Sequence, residues 1–239
     1  MVFYRKTPCF ILPQIEPEMM TATRAMPASR PASRTAAPNW KSLSVWALYL
    51  VGLLPAAWYF YQGATGSLGA DPVKTFEHLL GLWALRFLIA GLAVTPLLVL
   101  FGIRLIAWRR ALGLLAFYYV VMHFLVYMVL DQSMNLSAVL TDITRRPYII
   151  IGMAAFVLLM PLALTSNAWS IRRLGPAWRK LHMLVYVIVA AGVLHFAMSV
   201  KSITTHEMIY IVLVALLLLF RPFKPAIMKW KRARRAQAR

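Results

Sequence analysis

The chain is poor in cysteine and in acidic residues. Among 239 residues Cys9 is the only cysteine, and Asp and Glu together number 7 against 26 Lys and Arg. A single thiol excludes an intramolecular disulfide, a zinc site built from cysteines and an iron–sulfur cluster held by cysteines of this chain. A metal bound here would therefore be held by histidine or carboxylate.

Nucleotide-binding signatures are also missing from the sequence. No G-x-G-x-x-G follows a strand pattern and no P-loop occurs. The apolar segments are joined by loops that are too short for a soluble nucleotide-binding domain. If NAD(P)H oxidation supplies this protein with electrons, it takes place on another protein.

What the sequence has in excess is apolar surface. Hydrophobic residues make up 61% of the chain and its mean hydropathy is +0.68, whereas soluble domains are only about 45–50% apolar. Most of the apolar segments are close to the roughly 20 residues that a bilayer core requires. We therefore predict an all-α integral membrane bundle of six transmembrane helices, at about 43–62, 79–101, 111–130, 148–165, 183–200 and 206–223.

Basic residues alternate between the two sides of these segments. Of the 26 Lys and Arg, 21 fall on one side, four fall on the other and Arg86 lies within the second segment. The positive-inside rule assigns the richer side to the cytoplasm, so both termini are expected there. The charge is spread between apolar runs and forms no single basic patch, which argues against nucleic-acid binding.

Polar ends flank the membrane segments. Residues 1–42 are rich in Pro, Ala, Ser, Thr and Arg and cannot bury enough apolar surface to fold, so we expect a disordered basic cytoplasmic tail. Residues 224–239 are expected to form a second basic cytoplasmic tail. The membrane domain is then residues 43–223.

Two histidines lie inside apolar segments at the same expected depth. The third and fifth segments both run outward, and His123 and His195 lie about seven and about five residues from their outer ends. Ionisable groups inside a membrane span usually mark a functional site. Two imidazoles from different helices can supply both axial ligands of a b-type haem, which suits electron transfer. The alternative is that each is a buried histidine bonded to a neighbouring helix.

Arg86 is expected at the same depth as His123 and His195. It lies about eight residues into the second segment, which runs inward. An unpaired guanidinium at that depth costs at least a few kcal/mol. A haem propionate would compensate its charge, and the alternatives are snorkelling to the outer surface or pairing with Glu77 or Asp131.

The cytoplasmic side has one histidine without a facing partner. His182 lies at the inner edge of the fifth segment, within the predicted helix 178–201. It either binds a second haem whose other ligand is absent or is not a histidine, contacts a quinone or flavin, or is a plain interfacial histidine. His78 and His206, at the outer ends of two segments, are expected to be solvated.

Three long segments carry a family resemblance: RRALGLLAFYYVVMHFLVYMVLD (109–131), RPYIIIGMAAFVLLMPLALTS (146–166) and RRLGPAWRKLHMLVYVIVAAGVLHF (172–196). In this order they closely resemble the MsrQ family, the haem-binding membrane subunits of the bacterial periplasmic methionine sulfoxide reductase system. That family belongs to the ferric-reductase-like transmembrane group. The resemblance covers roughly residues 43–223.

The resemblance implies an electron-transfer subunit of the bacterial inner membrane. Electrons would pass from the quinone pool or a cytoplasmic flavin reductase to a periplasmic molybdenum-dependent partner, MsrP, which reduces methionine sulfoxide in oxidised proteins. The resemblance also implies b-type haem with ligands at His123, His195 and His182, and leaves FMN open as a further cofactor. The wider group often has two haems, whereas only the outer histidine pair is complete here, so the number of haems stays open.

Two other functions fit the sequence. A stand-alone ferric or quinone-linked reductase of the same fold would also need a separate electron donor, so the sequence does not separate it from an electron-transfer subunit. A transporter or membrane assembly factor without haem is the other alternative. It is disfavoured because Arg86, His123 and His195 share one depth and give no polar pathway across the membrane.

Overall fold

The computed structural model describes residues 40–237, without the side chains of Lys41 and Arg235. Most of the predicted tail 1–42 therefore lies outside the described residues. Every regular element from residue 40 to residue 237 is helical. The α-helices are α1 (Trp40–Ala64), α2 (Pro72–Phe101), α3 (Ile106–Val126), α4 (Leu136–Arg145), α5 (Pro147–Leu164), α6 (Ala168–Leu174), α7 (Pro176–His182), α8 (Leu184–Ser199) and α9 (Thr205–Gln237), and a π-helical turn (Tyr127–Asp131) follows α3.

Six stretches of the described chain are long and apolar enough to cross a membrane, which confirms the all-α class and the predicted number of spans. They are Ser42–Ala64, Pro72–Phe101, Ile106–Asp131, Pro147–Leu164, Pro176–Ser199 and Thr205–Arg234. The fifth differs from the continuous helix expected over 178–201. It consists of α7 and α8, because hydrogen bonds between residues three apart replace the regular pattern around Met183.

Two helices are longer than their apolar segments. α2 begins at Pro72 instead of residue 79, because the side chain of Asp71 accepts a hydrogen bond from the Lys74 N–H at 3.1 Å and Pro72 occupies the first turn. α9 continues to Gln237 instead of ending near residue 223. Lys and Arg are good helix formers, so residues 224–237 extend this helix beyond the apolar segment.

The core of the bundle is built from two helix pairs. α2 packs along α3, α5 packs along α8, and contacts between α3 and α5 and between α2 and α8 join the pairs. α1 lies against α3, and α9 lies against α2 and α8. Large apolar side chains of α1 and α9 remain exposed, including Trp46, Leu50, Leu213 and Leu216. Such faces suit contact with lipid, whose chains are as apolar as the side chains themselves.

Tyr119 of α3 fastens α1 at an irregular point. Its buried hydroxyl accepts a hydrogen bond from the Ala56 N–H at 3.1 Å and donates one to the Gly52 carbonyl at 2.8 Å. These two backbone groups bond to each other in a regular helix, and here they lie beside Pro55. Gly52 also makes room for α3, since a Cβ there would lie 2.6 Å from Cδ1 of Leu115. The position of α1 is thus set by one hydroxyl and one missing side chain.

Candidate functional site

His123 and His195 lie close together near the C-terminal ends of α3 and α8. Their ring centroids are 6.2 Å apart and the ring planes form an angle of 83°. The two helices that carry them belong to different pairs of the core. The structure therefore brings together the two histidines that the sequence places at one depth.

A backbone carbonyl of a neighbouring helix holds each imidazole. Nδ1 of His123 lies 2.8 Å from the carbonyl oxygen of Glu77 on α2, and Nδ1 of His195 lies 2.7 Å from that of Tyr148 on α5. Because a carbonyl oxygen can only accept, both rings donate from Nδ1. Nε2 then carries the lone pair, which is the form in which a histidine binds a metal.

Both Nε2 atoms are free of hydrogen bonds to the residues that the structure describes. The carboxylate of Glu77 comes within 4.0 Å of Nε2 of His123, which is beyond hydrogen-bond distance. An imidazole nitrogen binds a metal at about 2.0–2.1 Å and lies about 1.1 Å from its ring centroid, so a metal held between two opposed rings separates the centroids by about 6.2–6.4 Å. The observed centroid separation of 6.2 Å lies at the lower end of this range.

The donor set fits haem better than a bare metal ion. Within residues 40–237 no group of three or more His, Cys, Asp or Glu is arranged to hold a metal. Two protein ligands are sufficient only when the metal brings other ligands with it, as the iron of haem does.

A cavity of about 560 Å³ surrounds the two rings, a size typical of cofactor and ligand sites. Its walls come from α2, α3, α5 and α8, and Gly192 on α8 widens it one turn before His195. The apolar lining includes Leu82, Leu85, Leu88, Phe124, Phe156 and Ile188, and the polar end near α4 includes Lys74, Glu77, His78, Asp131, Asp142 and Arg146. The cavity is thus an apolar slot with one polar end.

Asp142 organises that polar end. Its carboxylate forms an ion pair with Arg146 at 3.0 Å and accepts hydrogen bonds from Tyr127 at 3.4 Å and Gln132 at 3.5 Å. Tyr127 begins the π-helical turn, a distortion that is frequent at functional sites. The hydrogen bond from Arg146 to the Tyr148 hydroxyl raises the pKa of Arg146 above its usual value, so Arg146 stays cationic.

Arg86 is outside the cavity lining. Its Nε donates to the hydroxyl of Tyr210 on α9 at 2.9 Å, and its guanidinium carbon lies 4.8 Å from the ring centroid of Trp83. The aromatic rings offer a favourable environment to the cation in an apolar region. Among the described residues, the basic side chains that line the cavity are Lys74 and Arg146.

His182 lies away from the cavity, at the junction of α7 and α8. Its Nδ1 is 3.1 Å from the carbonyl oxygen of Trp178, and the two rings stack with their centroids 3.9 Å apart. Its Nε2 is buried and has no hydrogen-bond partner among the described residues. A buried polar atom of this kind is uncommon in native proteins and calls for a ligand, a water molecule or another explanation.

Sequence reasoning missed the groups that position the two histidines. These are the carbonyls of Glu77 and Tyr148 and the glycines four residues after them, Gly81 and Gly152. The available signal was a glycine near the start of the second and of the fourth segment. His78, expected to be solvated, is exposed but also lines the cavity.

Comparison with known families defines the class of the protein. Residues 80–193 match the family described as "Ferric reductase like transmembrane component". The matched range includes His123 and His182 and covers most of the helices that form the cavity. Together with the six apolar helices of the described residues, the match indicates a multi-pass membrane protein with a ferric-reductase-like transmembrane component.

Comparison with individual proteins is more specific. The chain is 64% identical over 189 residues to the "Protein-methionine-sulfoxide reductase heme-binding subunit MsrQ" of Rhizobium meliloti (strain 1021), covering 79% of this chain and 88% of that protein. It is 58% identical over 215 residues to the MsrQ proteins of Brucella ovis and Brucella abortus (strain S19), covering 90% of this chain and 94% of each of them. The chain belongs to the MsrQ family.

Proposed function

We propose that this chain is the haem-binding membrane subunit of a periplasmic methionine sulfoxide reductase system, with a b-type haem between His123 and His195. The observation that carries the proposal is the 6.2 Å separation of two imidazoles whose Nε2 atoms are free. The name of the relatives, which describes a haem-binding subunit, supports it independently.

The chain's own residues would give the site its properties. Nε2 of His123 and Nε2 of His195 would hold the haem iron, and a haem held by two histidines supplies one-electron transfer. The carbonyls of Glu77 and Tyr148 fix the tautomer and the orientation of the rings and make Nε2 more basic. The apolar walls limit the access of water, which helps to set the reduction potential.

The charged edge of such a haem would lie at the polar end of the cavity. Lys74 and Arg146 line that end, and each would have to share its charge between a propionate and its present ion-pair partner, Asp71 or Asp142. The sequence-based prediction assigned this role to Arg86, and it stays a prediction. To pair with a propionate, the guanidinium of Arg86 would have to give up its hydrogen bond to the hydroxyl of Tyr210.

The charge distribution supports an outward direction of electron flow. The bias of Lys and Arg in the sequence favours a cytoplasmic position for both termini, so in a bacterial inner membrane the polar end of the cavity would face the periplasm. Electrons from the quinone pool or a cytoplasmic flavin reductase would leave there to the molybdenum-dependent partner, MsrP. The partner would carry out the reduction of methionine sulfoxide.

His182 would mark the side on which electrons enter. Its buried Nε2 without a partner supports a ligand at this position. A second haem, a quinone and FMN are the three candidates. A pyridine haemochrome assay on the purified protein would measure the haem content per chain and thereby distinguish the first candidate from the other two.

Absorbance spectroscopy of the purified protein tests the haem site. We expect a low-spin b-type spectrum that is lost in His123→Ala and in His195→Ala. His206→Ala is the control, since this histidine is exposed and outside the cavity lining. Normal spectra in both ligand variants would show that the assignment is wrong.

A reoxidation experiment tests the partner. The reduced protein is mixed either with the periplasmic reductase and methionine sulfoxide or with a ferric chelate. We expect rapid oxidation of the haem only in the first mixture. Faster oxidation by the chelate would indicate a stand-alone ferric reductase instead.

A further inference from the structure

The same arrangement holds both histidines of the cavity, on two different helices. In each case a backbone carbonyl accepts the Nδ1–H, and the residue four positions later on the same helix is a glycine that lies against the ring. For His123 the two residues are Glu77 and Gly81 on α2. For His195 they are Tyr148 and Gly152 on α5.

The two glycines leave room that a side chain would take from the imidazole. A Cβ at Gly81 would lie 3.2 Å from Nδ1 and 3.3 Å from Cε1 of His123, and a Cβ at Gly152 would lie 2.8 Å from both of these atoms in His195. Favourable contacts between non-bonded carbon atoms are about 3.5–4.0 Å long. An alanine at Gly81 would require a small shift of the ring, and an alanine at Gly152 a larger one.

The spacing of four residues has a physical reason. In an α-helix the carbonyl of residue i bonds to the N–H of residue i+4, so the side chain of residue i+4 stands beside that carbonyl. A carbonyl oxygen has two lone pairs and can accept a second hydrogen bond if a donor can reach it. A glycine at position i+4 uncovers the carbonyl and lets the imidazole of the neighbouring helix approach.

Each ring is thereby fixed at two points, the hydrogen bond at Nδ1 and the glycine beside Nδ1 and Cε1. These contacts on both rings together hold the two ring planes at 83° to each other. In a low-spin ferric haem with two imidazole ligands, the angle between the ligand planes determines the splitting of the iron d orbitals and the anisotropy of its EPR signal. The atoms closest to a Cβ at either glycine belong to the imidazole itself.

We propose that Gly81 and Gly152 are positioning residues that set the rotation of His123 and His195 and, through it, the electronic state of the bound iron. This inference rests on the proposed function, since it concerns a haem between the two histidines. It predicts an order of effects, because the closer contact is the one at Gly152.

The test compares Gly152→Ala and Gly81→Ala with Gly113→Ala in the full-length purified protein. Gly113 is an exposed position on α3 where a Cβ would meet nothing within 4 Å, so it controls for the substitution itself. The measurements are haem content, the EPR spectrum of the ferric protein and the midpoint potential. We expect the g values and the potential to shift most in Gly152→Ala, less in Gly81→Ala and not in Gly113→Ala.

Each outcome supports or overturns the inference. Unchanged EPR spectra and potentials in both glycine variants would overturn it and leave the haem site intact, whereas a wild-type protein without haem would overturn the proposed function itself. Loss of haem from Gly152→Ala at wild-type thermal stability, with shifted g values in Gly81→Ala, would support it. Aggregation of both variants, but not of Gly113→Ala, would show that the glycines serve only folding.

Discussion

His195 donates a hydrogen bond from Nδ1 to the backbone carbonyl of Tyr148 at 2.7 Å. This bond joins the end of α8 to the first turn of α5. Because the acceptor is a backbone atom, this hydrogen bond does not depend on which side chain residue 148 carries. The tautomer of His195 is therefore determined by the packing of two helices.

Tyr119→Phe should destabilise the bundle without removing the cavity. The change leaves the Ala56 N–H and the Gly52 carbonyl without their partner, and an unsatisfied buried group costs about 1–3 kcal/mol. Thermal unfolding in detergent measures the loss. Tyr118→Phe, at a half-exposed neighbouring position, should leave the melting temperature unchanged.

Arg146→Gln should lower the midpoint potential of the haem. Removal of a positive charge from the polar end of the cavity favours the ferric state, by an amount on the order of tens of mV at the separations and effective dielectric constants found near protein surfaces. Potentiometric titration measures the shift. Arg86→Gln should leave the potential nearly unchanged and lower the melting temperature, since it removes the bond to Tyr210. The reverse pattern would assign the propionate to Arg86.

His182→Ala should reduce the haem spectrum less than either cavity variant does and slow the entry of electrons. His182 lies outside the cavity lining, so a haem bound between the other two histidines should remain. The rate of haem reduction by a quinol or by a reduced flavin reductase is the measurement. A wild-type rate would exclude a role for His182 in electron entry.

Gly192→Leu should lower the haem content even though both histidines are kept. Gly192 lines the cavity, and a Cβ there would meet nothing within 4 Å, so a larger side chain can occupy the slot. The ratio of haem to protein in purified samples measures the effect. Gly113→Leu, at an exposed position outside the cavity, should bind haem normally. Equal haem contents would mean that the group does not reach this part of α8.

Thr144→Cys tests the orientation of the chain in the membrane. Thr144 is exposed in α4, beside the polar end of the cavity, and Cys9→Ser removes the only native thiol. A maleimide that does not cross membranes should label the Thr144→Cys variant in intact spheroplasts. It should not label Cys9 in the wild-type chain until the membrane is opened. The opposite pattern would reverse the proposed direction of electron flow.

Arg86 and the two histidines show that a shared depth in the membrane does not by itself predict contact between residues. Position along an apolar segment placed all three residues at one level, and two of them do meet in the cavity. Arg86 faces Tyr210 instead. Depth depends on distance along the helix axis, which the sequence gives directly. The direction in which a side chain points depends on the rotation of the helix about its axis. The sequence predicts this rotation poorly when both the lipid and the protein core are apolar.

The sequence by itself determined the six membrane segments, the expected orientation and the two histidines at one depth. These features depend on the length, hydropathy and flanking charge of each segment, which determine its insertion into a bilayer. Only the tertiary structure decided which carbonyls hold the imidazoles and why glycines stand at positions 81 and 152. Those features depend on contacts between helices far apart in the chain, and side-chain packing fixes them only after the bundle has formed.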